Sequence, residues 1–314
     1  MAEVIWRPVS VDVGWGMLRG KICTVGGGDT PTLRVVGVHG WLDNANSFDT
    51  LVPLLPAGVE VLALDLPGHG LSDHLPLGAH YNLLVQAFNL RTALQKLGWT
   101  KAVLVGHSMG AAVAVLLTAL FPEHVLALVQ LDFIQRNREA SRVTLWRSDA
   151  ATLRRSEKPK DPPQALTERE ALDRLVAARR NQNRDHDNID TADAKVLLPR
   201  AAARHGDGYL WRHDPRVRAT FNSLFGGRAW LEVASAVRCP LLVVVATKGM
   251  CALPKSEYKA VLDAYRKNTT RFDYRVVEGD HHVHLSHPER VGPEVNTFLR
   301  AVAREGHQQP SARL

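Results

Sequence analysis

Three cysteines in 314 residues, Cys23, Cys239 and Cys251, are too few and too widely spaced for a disulfide framework or a zinc site. The chain must therefore fold on its own apolar core, and a reducing compartment is expected. Aromatic residues are scarce too, at 6%. No apolar run approaches the roughly 18 residues of a membrane-spanning helix, so stable membrane insertion is not expected. The opening Met1-Ala2-Glu3-Val4-Ile5-Trp6 has neither the basic start nor the apolar stretch of a secretory leader. Zinc-finger spacing, an RNA-binding aromatic signature and a continuous basic helix are all missing, which argues against nucleic acid as a partner. No internal repeat appears. What remains is 45% hydrophobic and 23% charged, the composition of a globular protein with a sizeable core.

The net charge of +7 is concentrated in one stretch. Residues 134–230 hold 20 Lys+Arg against 13 Asp+Glu, so the rest of the chain is neutral. A basic segment inside a neutral scaffold suits either an anionic ligand or a plain solvated surface.

Short apolar runs alternate with helical patterns. Residues 4–25 alternate and turn at Gly14-Trp15-Gly16, which predicts an entry hairpin. Strands are predicted at Leu33–Val38, Val59–Leu64, Ala102–Val105, Val125–Leu131, Leu241–Val245 and Phe272–Val277. Helices are predicted near Ala45–Leu55, Leu83–Leu97, Gly110–Leu120 and Pro288–Val302. This order predicts a parallel sheet covered on both faces. The Arg-rich stretch Ile134–Trp230, with Pro159, Pro162 and Pro163 and a helical pattern over Leu166–Arg180, breaks the rhythm. It reads as a helical cap over the crevice beyond the strand ends. The core is then 1–133 plus 231–305, with a flexible tail over 306–314.

Gly106-His107-Ser108-Met109-Gly110 follows the strand at Ala102 and precedes a helix. This is the strand–turn–helix setting of a nucleophile elbow. A serine on so tight a turn needs glycine on both sides, because neighbouring backbone leaves no room for a Cβ. Its hydroxyl then stands near a helix N-terminus, where developing negative charge is favoured. A serine hydroxyl also needs a base oriented by a third group. The segment Glu278-Gly279-Asp280-His281-His282-Val283-His284-Leu285-Ser286-His287-Pro288-Glu289, after the last predicted strand, offers four histidines.

With His39-Gly40-Trp41-Leu42-Asp43-Asn44, Asp65-Leu66-Pro67-Gly68-His69-Gly70-Leu71-Ser72 and the elbow, the chain resembles the α/β-hydrolase fold superfamily and, within it, the serine hydrolase-like proteins. The resemblance is strong over 33–133, returns over 239–298 and is weak through the cap. It implies an eight-stranded, mostly parallel sheet. It maps the base to His281, which opens an H-x-x-H-L stretch ahead of Pro288-Glu289, with His284 as structural companion. His282 is the alternative base, and His287 is expected at the surface. An oxyanion needs two N–H donors, which the resemblance places at Met109 and Trp41. His39 is expected to shape the Trp41 loop, and Asp65 and His69 to shape theirs. Trp41 and His107 are further candidates for touching substrate.

The acid departs from the pattern the resemblance implies. Gly249, in Val245-Ala246-Thr247-Lys248-Gly249-Met250-Cys251, stands where an Asp is usual, and no carboxylate follows until Glu257. Asp132, at the end of the strand Val125–Leu131, is the other place an acid can come from, as in haloalkane dehalogenases. The alternative is an aspartate that merely caps the entry to the cap.

The expected activity is a serine hydrolase cleaving an ester or thioester of a small to medium apolar acyl group. It would need neither metal nor organic cofactor, and its rate would fall below about pH 6.5 as an imidazole base protonates. An acyl-CoA thioesterase is a variant suggested by the basic cap, whose Arg and Lys suit phosphates. Dehalogenase or epoxide hydrolase chemistry needs a carboxylate at the elbow, where this chain has serine. A ligand receptor or degenerate hydrolase is the non-enzymatic alternative, prompted by Gly249. Trp146, Trp211, Phe221 and Phe225 are candidate lining residues within the cap, with buried packing the alternative reading for each. Finally, Ala312-Arg313-Leu314 resembles a peroxisomal C-terminal address read by an import receptor, with the cytoplasm as alternative location.

Overall fold

The computed structural model describes residues 4–28, 31–135, 142–157, 164–179, 189–219, 227–252, 256 and 258–308. Ten strands are described: β1 (Arg7–Asp12), β2 (Met17–Thr24), β3 (Leu33–Val38), β4 (Val59–Leu64), β5 (Ala102–His107), β6 (Val125–Leu131), β7 (Ala202–His205), β8 (Gly208–Trp211), β9 (Leu241–Ala246) and β10 (Phe272–Val277). The helices are α1 (Leu83–Lys96), α2 (Met109–Leu120), α3 (Arg142–Glu157), α4 (Glu168–Ala177), α5 (Thr191–Ala201), α6 (Gly227–Ala236), α7 (Lys259–Asn268), α8 (Val283–Ser286) and α9 (Pro288–Gln308).

Eight strands form one sheet in the order β1-β2-β4-β3-β5-β6-β9-β10. β1 and β2 pair antiparallel, β2 pairs antiparallel with β4, and every pairing from β4 to β10 is parallel. The apolar runs explain this. β5 and β9 are buried at every residue, as strands covered on both faces must be. Alternate residues such as Val36, Leu62, Leu104 and Val243 join one core layer with α1, α2, α6 and α7. Their neighbours Val35, Val61, Val103 and Val244 join the other with α9, whose buried Val291, Val295, Phe298, Leu299 and Val302 follow the helical period. The parallel strands end together, and the loops leaving those ends form the crevice that carries the site.

Above that crevice lie α3, α4, α5 and the β7–β8 hairpin. Thr167 and Glu170 form a capping box that starts α4, and Asp190 and Asp193 form another that starts α5. Leu172 and Leu175 of α4 pack on Leu197 and Leu198 of α5, and the core's Leu285 joins that cluster.

Four expectations are corrected. The stretch Ala45–Leu55 forms two short 3-10 turns, Ala45–Phe48 and Val52–Leu54, in place of one helix. Asn44 caps the first with its side chain, and Pro53, which cannot donate a ladder hydrogen bond, sits in the first turn of the second. The cap contains a hairpin as well as helices. α6 starts at Gly227 and places Trp230 in the core cluster, so the core resumes ahead of residue 231. α9 continues through Gly306 to Gln308, where a flexible tail was expected. Residues 309–314 lie outside the described residues.

Candidate active site

The turn between β5 and α2 holds Ser108 at φ 51°, ψ −119°. This sparsely populated positive-φ backbone costs a non-glycine residue about 1–3 kcal/mol. Close packing imposes it. A Cβ on Gly106 would lie 2.5 Å from the Ala111 Cα, and one on Gly110 would lie 2.0 Å from the Val38 carbonyl oxygen. Glycine is therefore required on both sides of Ser108.

The Ser108 hydroxyl lies 2.9 Å from His281 Nε2, positioned to donate to it. His281 Nδ1 donates to Asp132 Oδ2 at 2.6 Å. Asp132 stands one residue past β6 at φ 47°, its backbone N–H bonded to the Val244 carbonyl at 2.7 Å. Its carboxylate is buried and also accepts from the Ala246 N–H at 3.0 Å and the Met250 N–H at 2.6 Å. A Cβ on Gly249 would fall 2.1 Å from Asp132 Oδ2. The glycine where an acid is usual thus makes room for the acid that is present.

The loop after β3 faces the elbow. The Asp43 N–H bonds to the Gly40 carbonyl at 3.2 Å and closes a turn over Trp41 and Leu42, with Leu42 at φ 58°. Leu42, Ser108 and Asp132 are the three non-glycine residues with positive φ among the described residues, and all three belong to this site. Trp41 and Met109 border the same cavity as Ser108. Met109 opens α2, so its N–H lies outside the helix's own ladder. The Trp41 indole N–H donates to the Val217 carbonyl at 2.9 Å, which ties the loop to the cap.

The cavity has a volume of about 570 Å³, with apolar walls from Leu83, Ala112, Phe133, Trp230 and Met250 around Ser108 and His281. A hydroxyl sharing its proton with a carboxylate-backed imidazole, at the mouth of an apolar cavity and a helix N-terminus, can attack an electrophilic carbonyl.

A sequence profile of the α/β hydrolase fold matches residues 34–288. The chain belongs to the α/β-hydrolase fold family. It is 31% identical over 312 residues to a probable serine hydrolase of Drosophila melanogaster, covering 96% of this chain and 89% of that protein. It is 30% identical over 302 residues to a serine hydrolase-like protein of Danio rerio, covering 92% and 86%. Among solved structures, a hypothetical protein of Pseudomonas aeruginosa PAO1 superposes with a TM-score of 0.78 at 28% identity, covering 96% of this chain and 99% of that one.

In this α/β-hydrolase the remaining histidines have separate positions. His282 borders the same cavity but has its Nε2 3.3 Å from Asp43 Oδ2, while His281 is the ring bonded to Ser108. Burial pushes its pKa down to about 3. His284 is buried, 3.0 Å from the Ser47 hydroxyl, and its ring packs 4.1 Å from that of His107. His287 is half-exposed. His107 edges the cavity, yet it is only 1% exposed and its Nε2 donates to the His281 carbonyl at 2.9 Å, so it braces the base more than it presents a polar group to the cavity. His39 accepts from the Leu66 N–H at 2.9 Å and donates to the Gly40 carbonyl at 2.8 Å, fixing the Trp41 loop. Asp65 accepts from the Ala45 and Leu71 N–H groups, and His69 Nδ1 meets the Pro67 carbonyl, both within loop scaffolding.

The proposed cap lining fares differently. Trp146 is exposed, and Trp211 lines a separate cavity. Phe221 and Phe225 lie outside the described residues, as does Glu257. Sequence reading passed over Asp43 and Arg179. The Arg179 guanidinium donates to Asp43 Oδ1 from Nε at 2.9 Å and from Nη2 at 2.6 Å. Burial would raise the Asp43 pKa, but the charge of Arg179 holds it well below the usual carboxylate value. Asp43, His107 and His282 bring ligand-type atoms within 4.8 Å of one another, a donor set a transition metal could use. Arg179 already supplies the countercharge there, so the cluster is a charge network in its own right.

Proposed function

We propose that the protein is a serine hydrolase acting on an ester or thioester with a small to medium apolar acyl group. The observation that carries the reading is the Ser108–His281–Asp132 relay, at 2.9 Å and 2.6 Å, opening onto an apolar cavity. Ser108 Oγ attacks the carbonyl carbon while His281 Nε2 takes the hydroxyl proton. The N–H groups of Trp41 and Met109 receive the negative oxygen. The carbon–oxygen or carbon–sulfur bond breaks as His281 passes the proton to the leaving group. Water then releases the acid from Ser108 by the same route, and Asp132 holds the imidazole throughout. The serine hydrolase names of the relatives support this reading. The C-terminal Ala312-Arg313-Leu314 lies outside the described residues and supports delivery to the peroxisome by an import receptor.

A second reading, an acyl-CoA thioesterase, is favoured by one feature. A cavity of about 930 Å³ is lined by Arg155, Arg174, Arg218, His74 and His213, with Tyr209 and Trp211, and none of its described lining residues is a carboxylate. Guanidinium groups and aromatic faces suit phosphates and a nucleobase.

A fluorophosphonate probe should label wild type stoichiometrically and leave Ser108→Ala unlabelled, and the variant should lose turnover of p-nitrophenyl esters. No labelling of native protein would instead favour a ligand-binding role. An acyl-chain series on esters and CoA thioesters then separates the two readings. A preference for CoA thioesters that fades with salt supports the second, and equal rates at all salt concentrations remove it.

A further inference from the structure

The cap reaches into the oxyanion loop through one side chain. Arg179 follows α4 and is 8% exposed, so its guanidinium sits inside the protein. Nη1 is anchored on its own side by the Leu175 carbonyl at 3.0 Å. Nη2 donates to the Leu42 carbonyl at 2.9 Å, and Nε and Nη2 both reach Asp43 Oδ1. One planar group therefore holds two consecutive residues of the loop that carries the Trp41 N–H.

That loop needs holding. Leu42 has φ 58°, in the third position of the turn closed by the Asp43 N–H and the Gly40 carbonyl, where glycine or asparagine is usual. A leucine stays there only if its surroundings insist. The loop is also pinned from the core by His39, which donates to the Gly40 carbonyl, while Asp43 Oδ2 lies beside His282 Nε2 at 3.3 Å and His107 Nδ1 at 3.6 Å without a hydrogen bond to either. His107 belongs to the elbow and His282 follows the base. Asp43 is thus the point where the oxyanion loop, the elbow and the base loop meet, and Arg179 is the cationic partner that keeps its buried carboxylate charged and oriented.

We infer that Arg179 is a positioning residue for the oxyanion hole. Docking the cap sets the Trp41 N–H through Leu42 and Asp43, so the hydrolytic centre is complete only with the cap seated. This rests on the serine hydrolase reading above, and it assigns the cap a part in the chemistry beyond enclosing substrate.

The test uses the full-length protein with Arg179→Ala and Arg179→Lys. Loss of one oxyanion donor costs about 10²–10³ in kcat. Arg179→Ala is expected to lose about a hundredfold in kcat with KM within about threefold, and free guanidinium at tens of millimolar, though not sodium chloride at equal ionic strength, should restore about tenfold. Arg179→Lys should stay impaired, because one ammonium cannot reproduce the planar fork across Asp43 and Leu42. Hydrogen exchange of the Trp41–Asn44 amides gives a readout independent of turnover, and it should quicken in Arg179→Ala while the amides of β5 and β6 stay protected. Full kcat in Arg179→Ala, or a change confined to KM, would overturn the inference. So would unchanged exchange at Trp41–Asn44. Absence of wild-type turnover would count against the hydrolase reading alone, and exchange would still decide the role of Arg179 in the loop.

Discussion

On the core side of the crevice, Asp132 is held by main chain: the N–H groups of Ala246 and Met250 bond its carboxylate, and a parallel strand fixes its backbone. On the cap side, the buried carboxylates of Asp43 and Asp65 are also held by side chains from across the crevice, although Asp65 accepts main-chain N–H bonds as well. Arg179 grips Asp43, and Arg200 of α5 grips Asp65 with Nη2 at 2.7 Å and Nε at 3.0 Å. Asn44 and Asn46 add side-chain hydrogen bonds to the α5 carbonyls of Leu197 and Val196. The core half is built from groups every residue carries, and its geometry follows from strand register. The cap half rests more on side chains, Arg179, Arg200, Asn44, Asn46 and Trp41 among them, and single substitutions can remove each of these.

This contrast can be broken at either end. The largest expected effect lies in the core half. Asp132→Asn should keep the fold, because an amide oxygen still accepts from Ala246 or Met250. It should nevertheless lower kcat by about 10³–10⁴, since His281 loses the partner that selects its tautomer and steadies the imidazolium. Steady-state kinetics beside a thermal melt checks this, and near-wild-type kcat would show that Asp132 is only a loop-capping residue.

An intermediate effect is expected in the cap half. Arg200→Met removes the partner of a carboxylate with no exposed surface, and breaking such a buried pair costs about 3–5 kcal/mol. Chemical denaturation should show that loss. If a separate early transition carries it, the cap unseats before the core unfolds. If a single transition shifts by less than about 1 kcal/mol, the arginine latch contributes no more than a surface pair.

The smallest effect sharpens the comparison through pH. His282 and His69, both packed at the strand ends, are pushed down to about 3 by burial, and His213 of the cap to about 4. Each takes up a proton near pH 6.5 when unfolded but not when folded. Stability is therefore full above about pH 6.5 and declines as pH falls below it, by no more than about 1.4 kcal/mol for each such histidine over the first pH unit. Melting temperature against pH checks the sign, and His69→Gln should flatten the slope. A melting temperature that rises on acidification would contradict the burial of these rings.

The two halves also differ in how far they could be read from sequence. Parallel strands buried on both faces announce themselves as apolar runs, and the glycines around Ser108 mark a turn with no room for a Cβ. Asp132 was legible because its strand was, and because Gly249 left the usual place empty. The choice of His281 among four neighbouring histidines came from resemblance, since spacing alone does not say which ring turns towards the serine. Arg179 was not legible. It is one of 20 basic residues in residues 134–230, and its role depends on how the cap folds back over a loop more than a hundred residues upstream. Ala45–Leu55 was misread because apolar spacing says helix while Asn44 and Pro53 cut the chain into single turns.

Gly249 has a consequence for how this site can change over time. Placing aspartate there while Asp132 remains would force two negative groups into overlapping space. Losing Asp132 first would leave the base without an anion behind it. An aspartate at residue 249 therefore fits this backbone only together with a smaller residue at 132, so the two positions are coupled by the space they share.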